Sequence, residues 1–203
     1  MTTSPKIGII LSTIRPARFA DKWTQWLVNL VGQRGDAEFE VVDLRDYPMP
    51  FDEAQSIMFA PLQDEVALRW SRKVAELDGY IFITGEYDYG MPAVVKNALD
   101  CAYPGDRKPA TFVGYGGCGA ARAMEQLRLI LSELQLATLR HTIHINRIEL
   151  VGMLMHGKTF ADYSYLEGSI AAMLNDLVWW ACVLKAGRQP RNLSSIHPMW
   201  PPQ

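Results

Sequence analysis

Three short stretches hold the residues best suited to chemistry. "STIRPAR" (12–18) packs two hydroxyls, Ser12 and Thr13, and two arginines, Arg15 and Arg18, just ahead of an amphipathic helical pattern. Backbone amides at a helix start point outward with partial positive charge, so an anion is favoured there. Hydroxyl donors and a guanidinium complete a set that suits a phosphate monoester. A polar turn with two solvated arginines is the alternative. The stretch lacks GxxxxGK[ST], which argues against a nucleoside-triphosphate cradle.

"GEYDYGMP" (85–92) is aromatic, acidic and bounded by glycine. Tyr87 and Tyr89 offer planar faces at low entropic cost, and Gly85 and Gly90 let backbone approach a ring closely. A flat heteroaromatic ligand fits these features. Glu86 and Asp88 either accept the loop's own amides, reach a ligand donor, face solvent or meet a partner subunit. An acid–base pair needs two pKa values pushed apart, and nothing in the letters does that. Pro92 suits the first turn of the helical pattern that follows.

"GYGGCGAAR" (114–122) leaves a strand pattern and opens a helical one. Gly114, Gly116 and Gly119 spell GxGxxG, the dinucleotide fingerprint. That motif normally follows the first strand and is answered by an acid about 20 residues on. Here the next strand candidate, "ATLRHTIHI", ends without one. The other reading is a low glycine platform on which a ring lies against backbone. Cys118 has no obvious base near it in sequence, which leaves a nucleophile's role unsupported.

Other chemistry is missing. His141 and His144 sit three apart, a spacing that sends strand residues to opposite faces and prevents a shared metal. His156 and His197 add no cluster, and no G-x-S-x-G elbow is present. If the chain is an enzyme, a bound cofactor carries the reaction.

Positioning these loops requires a particular framework. "KIGIILS" (6–12), "FEVVDL" (39–44), "GYIFIT" (79–84) and "ATFVGY" (110–115) read as buried strands, and 137–145 as a fifth with polar interruptions. Helical stripes alternate with them: Trp23, Trp26, Leu27, Leu30 and Val31; Met124, Leu127, Ile130, Leu131 and Leu134; Leu166 to Ala181. Such stripes, including Trp179–Trp180, predict core packing or a subunit interface. Strand–helix alternation predicts a parallel sheet with helices on both faces. Ligands then sit beyond the carboxyl ends of the strands, where the three loops, following strands one, three and four, should meet.

The chain has 203 residues, 49% hydrophobic and 21% charged, with a net charge of −2. These values predict a globular chain with no electrostatic reason to bind nucleic acid. No linker or repeat divides it, so a single domain over 1–203 is expected, with an irregular tail from about 187 and a long functional loop at 45–61. Three cysteines without CxxC spacing favour a reducing compartment. The first residues lack a signal-peptide pattern, and no unbroken apolar run approaches the roughly 20 residues of a membrane span. A soluble cytoplasmic protein is the expectation.

The three stretches together resemble one family, the NAD(P)H-dependent FMN reductases of flavodoxin-like fold, which include quinone and azo-dye reductases. "STIRPARFADK" is similar to its phosphate loop G-S-T-R-P-G-R, and "GEYDYGMPAVVKNALD" to its signature P-E-Y-N-Y-G-x-P-x-x-L-K-N-A-[IL]-D. "VGYGGCGAARAMEQLRLILSEL" resembles its S-Y-G-G-x-x-G…Q-L-R segment, and the likeness spans roughly 6 to 186. It implies an α/β, doubly wound, five-stranded parallel sheet of order 2-1-3-4-5, and usually a homodimer. Thr13, Arg15 and Arg18 would hold the FMN phosphate, with Ser12 lining the turn. Glu86, Tyr87, Asp88 and Tyr89 would border the isoalloxazine on one side, and Tyr115, Gly116 and Gly117 on another. NADPH or NADH would reduce FMN, and a quinone, azo compound or free flavin would take the electrons. Ser12, Ala17, Gly85 and Asp88 depart from the family pattern. An added carboxylate near the flavin would lower its reduction potential. Asp88 and Gly85 are the features that keep a non-catalytic FMN-binding carrier or sensor as the competing reading.

Overall fold

The computed structural model describes residues 4–51, 63–102 and 107–188. Its sheet is built from β1 (Lys6–Leu11), β2 (Glu38–Asp43), β3 (Gly79–Gly85) and β4 (Pro109–Tyr115), with β5 (Ala137–Thr138) and β6 (Ile143–Ile145) both paired to β4. The order is β2-β1-β3-β4-β5 and every pairing is parallel. This is the expected doubly wound order. The fifth strand, however, is broken in two. Its polar centre leaves the ladder, and the Thr111 hydroxyl donates instead to the His141 carbonyl at 2.6 Å.

Among the described residues six helices cover the sheet: α1 (Ala20–Val31), α2 (Glu65–Glu76), α3 (Ala93–Asp100), α4 (Ala121–Glu133), α5 (Arg147–Met155) and α6 (Tyr165–Arg188). Side chains alternate across each strand. Ile81 and Ile83 therefore join the core beneath α1 and α6, whereas Tyr80 and Phe82 join the core beneath α2, α3 and α4. Trp23 and Leu27 of α1 and Leu166 and Leu177 of α6 are wholly buried in the first core. Fully burying an aliphatic side chain stabilises by about 1.5–3 kcal/mol, which is why these stripes fix the helix faces.

α6 corrects one expectation. At 24 residues and a mean hydropathy of 1.3 it is long and apolar enough, by length and composition only, to cross a membrane. An unbroken apolar run was the wrong criterion, because Gly168, Ser169 and Asn175 interrupt the letters without lowering the average enough. Leu166, Ile170, Met173, Leu174, Leu177, Val178 and Ala181 spend its inner face on the sheet core, as in a core helix. Most of the 45–61 loop and nearly all of the tail from 187 lie outside the described residues.

Candidate functional site

β1 lies between β2 and β3, so the chain's first crossovers diverge to opposite sides of it. In doubly wound sheets such a switch in order is where a ligand crevice forms, at the carboxyl edge. The three stretches meet there. The Arg15 guanidinium lies over the Tyr87 ring at 3.7 Å, joining the loop after β1 to the loop after β3. Thr13 Oγ1 and the Tyr115 phenol share a buried hydrogen bond of 3.2 Å, joining the first loop to the end of β4. Gly116 faces Glu86: a methyl built on the glycine would stand 3.9 Å from Glu86 Cβ.

Within the first loop the two arginines part company. Arg15 is exposed, whereas Arg18 is buried. Arg18 Nε donates to Asp21 at 2.8 Å, and Nη1 donates to Asp43 Oδ1 at 2.8 Å and also to the Thr13 carbonyl. Nη2 donates to the other Asp43 oxygen, so the fork is bidentate. Burial works to raise the Asp43 pKa, but the Arg18 bonds and the Arg45 amide hold the carboxyl below its ordinary value. Arg18 is thus a brace from β2 to the loop, with four of its N–H bonds already spent. Ser12 is completely buried, and its Oγ has no hydrogen-bond partner among the described residues. A hydroxyl is rarely left so without a ligand or water to meet it.

The second loop is a tight reversal. Tyr87 and Gly90 exchange two backbone bonds of 2.9 Å, and the residues between them, Asp88 and Tyr89, have φ of 46° and 74°. Positive φ at both central positions is the type I′ pattern, whose first place favours Asn, Asp or Gly. Asp88 therefore stands in for asparagine by backbone preference, and its side chain is exposed. Gly85 is explained by space. A methyl there would lie 3.3 Å from both the Tyr87 and Tyr115 rings, a tight approach that favours glycine.

Glu86 is placed differently from Tyr87 and Tyr89. Its side chain is 7% exposed and caps α4, accepting the Arg122 amide at 3.1 Å and pairing with the Arg122 guanidinium. Ala120, before that helix, has φ of 56° and no side chain to cap with, so the carboxylate from another loop does the work. The Arg122 bond holds the Glu86 carboxyl below its ordinary pKa. Arg122 also lies over the Tyr89 ring at 4.3 Å, and Gln126 donates to the Tyr89 carbonyl at 3.2 Å. Arg122 is the organising residue that sequence reasoning passed over. An arginine in the first turn of a helix, where a cation is disfavoured unless an acid from elsewhere meets it, was its only signal.

In the third loop Gly114 is a packing residue, since a methyl on it would lie 2.4 Å from both the Gly119 carbonyl and Met124. Gly119 has φ of 58° and abuts His144, whose Nδ1 lies 3.0 Å from its carbonyl oxygen. These glycines serve a turn after the fourth strand, which removes the dinucleotide reading. Gly117 faces open space and Gly116 takes a φ of 148°, so backbone alone borders the cleft there. Tyr115, only 9% exposed and packed on Phe19 at 5.4 Å, backs the site from behind. Burial pushes its phenol pKa up, against the Thr13 bond. His141 pairs with Asp176 at 3.1 Å, well apart in role from His144, and no metal-binding cluster exists among the described residues.

The donor set suits FMN: an orphaned buried hydroxyl, an exposed arginine at the anion loop, tyrosine faces and a bare glycine edge come together at the carboxyl edge of the sheet. Comparison with known proteins agrees. Residues 5–149 match the family described as NADPH-dependent FMN reductase. The chain is 30% identical to an NAD(P)H-dependent FMN reductase of Schizosaccharomyces pombe over 66% of its own length and 68% of the relative's. It is also 30% identical to a 2-hydroxy-1,4-benzoquinone reductase of a Burkholderia species, covering 64% and 72%. Its fold overlays the Paracoccus denitrificans flavoenzyme NAD(P)H:(acceptor) oxidoreductase FerB with a TM-score of 0.66, at 22% identity and covering 87% and 97%. Family match, sheet order and converging loops lead to one conclusion: the chain belongs to the NADPH-dependent FMN reductase family.

Proposed function

We propose that this chain passes electrons from NADPH or NADH through bound FMN to a small two-electron acceptor such as a quinone, an azo compound or free flavin. The observation that carries this reading is the pair of links Arg15–Tyr87 and Thr13–Tyr115, which put an anion loop and an aromatic loop within reach of one ligand. Ser12, Thr13 and Arg15 hold the phosphate. If Tyr115 donates to Thr13, the Thr13 proton stays free for a phosphate oxygen. Arg18 keeps this loop in shape without touching the ligand. Tyr87, Tyr89, Gly116 and Gly117 border the ring, and the Glu86–Arg122 cap keeps their two loops in register. FMN supplies the two-electron relay that no side chain here can provide. The nicotinamide yields two electrons and one proton; a quinone takes these with one solvent proton and leaves as hydroquinone.

With Glu86 committed to α4 and Asp88 exposed, the acceptor's proton comes from water and no side chain is an essential acid or base. The positive φ that suits Asp88 and the close ring contacts at Gly85 account for both departures without a non-catalytic role. Anaerobic titration tests the proposal: the FMN-loaded chain should bleach with one equivalent of NADPH and recolour with 1,4-benzoquinone. A chain that takes up no FMN, or stays yellow, refutes it. Free thiols at exposed Cys118 and Cys182 support a cytoplasmic setting. Trp179, 59% exposed on α6, supports a homodimer, which light scattering reads directly.

A further inference from the structure

Arg45 follows β2, yet its side chain bonds to the anion loop after β1. It lies in a short 3-10 turn, Leu44–Asp46, directly after the strand. Asp43 caps that turn by accepting the Arg45 amide at 2.9 Å, through the same oxygen that meets Arg18 Nη1 at 2.8 Å. Arg45 Nη2 then crosses to the neighbouring loop, donating to the Arg15 carbonyl at 2.7 Å and to Asp21 at 3.4 Å. Asp21 also takes Arg18 Nε at 2.8 Å. Two guanidiniums and two carboxylates thus alternate along one flank of the loop, and their charges cancel.

The two arginines grip alternate carbonyls of the loop: Arg18 meets that of Thr13, and Arg45 that of Arg15. Peptide bonds are planar, and none among the described residues is cis. The Ile14 N–H therefore points away from Arg18, and no backbone acceptor meets it among the described residues. Arg15 precedes Pro16, a place that confines it to extended backbone. Holding its carbonyl on Arg45 fixes the last free backbone rotation at Arg15, and with it the direction of the side chain. Arg15 rests its exposed guanidinium on the Tyr87 ring and has no carboxylate partner among the described residues. It is the uncancelled charge of the group.

We propose that Arg45 is a positioning residue for the flavin phosphate: through the Arg15 carbonyl it aims the Arg15 guanidinium, and so sets the preference for FMN over unphosphorylated riboflavin. The proposal rests on the flavin-reductase reading above and adds to it a residue that acts without touching the ligand. The Arg45 side chain is 37% exposed, and ion pairs so exposed contribute little to stability. Its bonds shape the loop without holding the fold together.

Fluorescence titration of the apo chain with FMN and with riboflavin, across a double-mutant cycle, tests it. Arg45→Ala should weaken FMN binding about fivefold, the scale of one charge-assisted bond, and leave riboflavin within about twofold. The melting temperature should move by about 2 °C or less. In an Arg15→Ala background the same substitution should change FMN binding by less than about twofold, because the guanidinium it aims is gone. Equal FMN losses in both backgrounds would show that Arg45 meets the phosphate itself. Equal losses for FMN and riboflavin would show a general loss of the site. Either result overturns the proposal, as does an Arg45→Ala chain that binds FMN unchanged. A wild-type chain that binds neither flavin refutes the flavin reading instead, and inorganic phosphate then becomes the probe. It should shift the Ile14 and Arg15 amide resonances of the wild-type chain and leave those of Arg45→Ala nearly unmoved at the same concentration; equal shifts overturn the proposal.

Discussion

The two ends of the same strands are built to opposite purposes. At the amino edge, Asp78 accepts the Lys6 amide at 3.0 Å, Lys185 Nζ at 2.7 Å and Arg188 Nη2 at 2.6 Å, so one carboxylate fastens β1, β3 and the end of α6. At the carboxyl edge, Ala17, Asp88, Tyr89 and Ala120 all hold positive φ, the buried Ser12 hydroxyl lacks a partner, and Ile14, Phe51 and Tyr89 stand exposed. Each non-glycine in the left-handed region costs about 1 kcal/mol. Positive φ is not confined to that edge, since Arg107 before β4 and Gln135 before β5 share it, and the Arg18–Asp43 and Glu86–Arg122 pairs brace the carboxyl side. The edges differ in the unpartnered hydroxyl and the uncovered apolar faces. A ligand site needs unspent donors and uncovered faces, and these weaken the apo fold.

The largest expected break is at the amino edge. Asp78→Ala should lower unfolding free energy by about 3 kcal/mol in denaturant titration, since it strands a partly buried lysine and arginine. FMN affinity of the folded fraction should not move; a matching loss of FMN would join the two edges that the comparison separates. Burial works to raise the Asp78 pKa, but Lys185, the Lys6 amide and Arg188 keep it below its ordinary value. That contribution is whole above the unfolded carboxyl value of about 4 and disappears as pH falls through the lower folded one. Asp78→Asn should flatten the acid limb of the stability curve accordingly.

The carboxyl edge should respond the other way. Arg15→Ala removes an exposed cation and should weaken FMN binding about tenfold, the scale of one charge-assisted hydrogen bond, while the melting temperature stays put. Fluorescence titration with FMN reads the first and a thermal scan the second. Smallest is Ala17→Gly, which relieves a φ of 49° and should stabilise the chain by about 1 kcal/mol. A destabilised Ala17→Gly would show that the loop carries no strain.

Much of this was legible beforehand. Apolar runs at 6–12, 39–44, 79–84 and 110–115 became strands almost letter for letter, because period-two and fully apolar patterns leave few alternatives. The fifth was legible only as weak, and its polar middle is where the ladder breaks. Arg15 and Arg18 were indistinguishable as letters. Asp43, 25 positions away, made Arg18 a brace and left Arg15 exposed. Nothing in the letters around Glu86 showed that its side chain caps α4, a helix without a capping side chain of its own.

The amino-acid order alone determined the strands, the helix stripes, the parallel sheet they imply and three loops of the right chemistry, because these follow from local periodicity and turn residues. Tertiary structure decided which charged group pairs with which, how closely two tyrosine rings approach Gly85, and that an apolar cavity opens beside the loop after β1. Those outcomes depend on distances between residues far apart in the chain, and no local pattern encodes them.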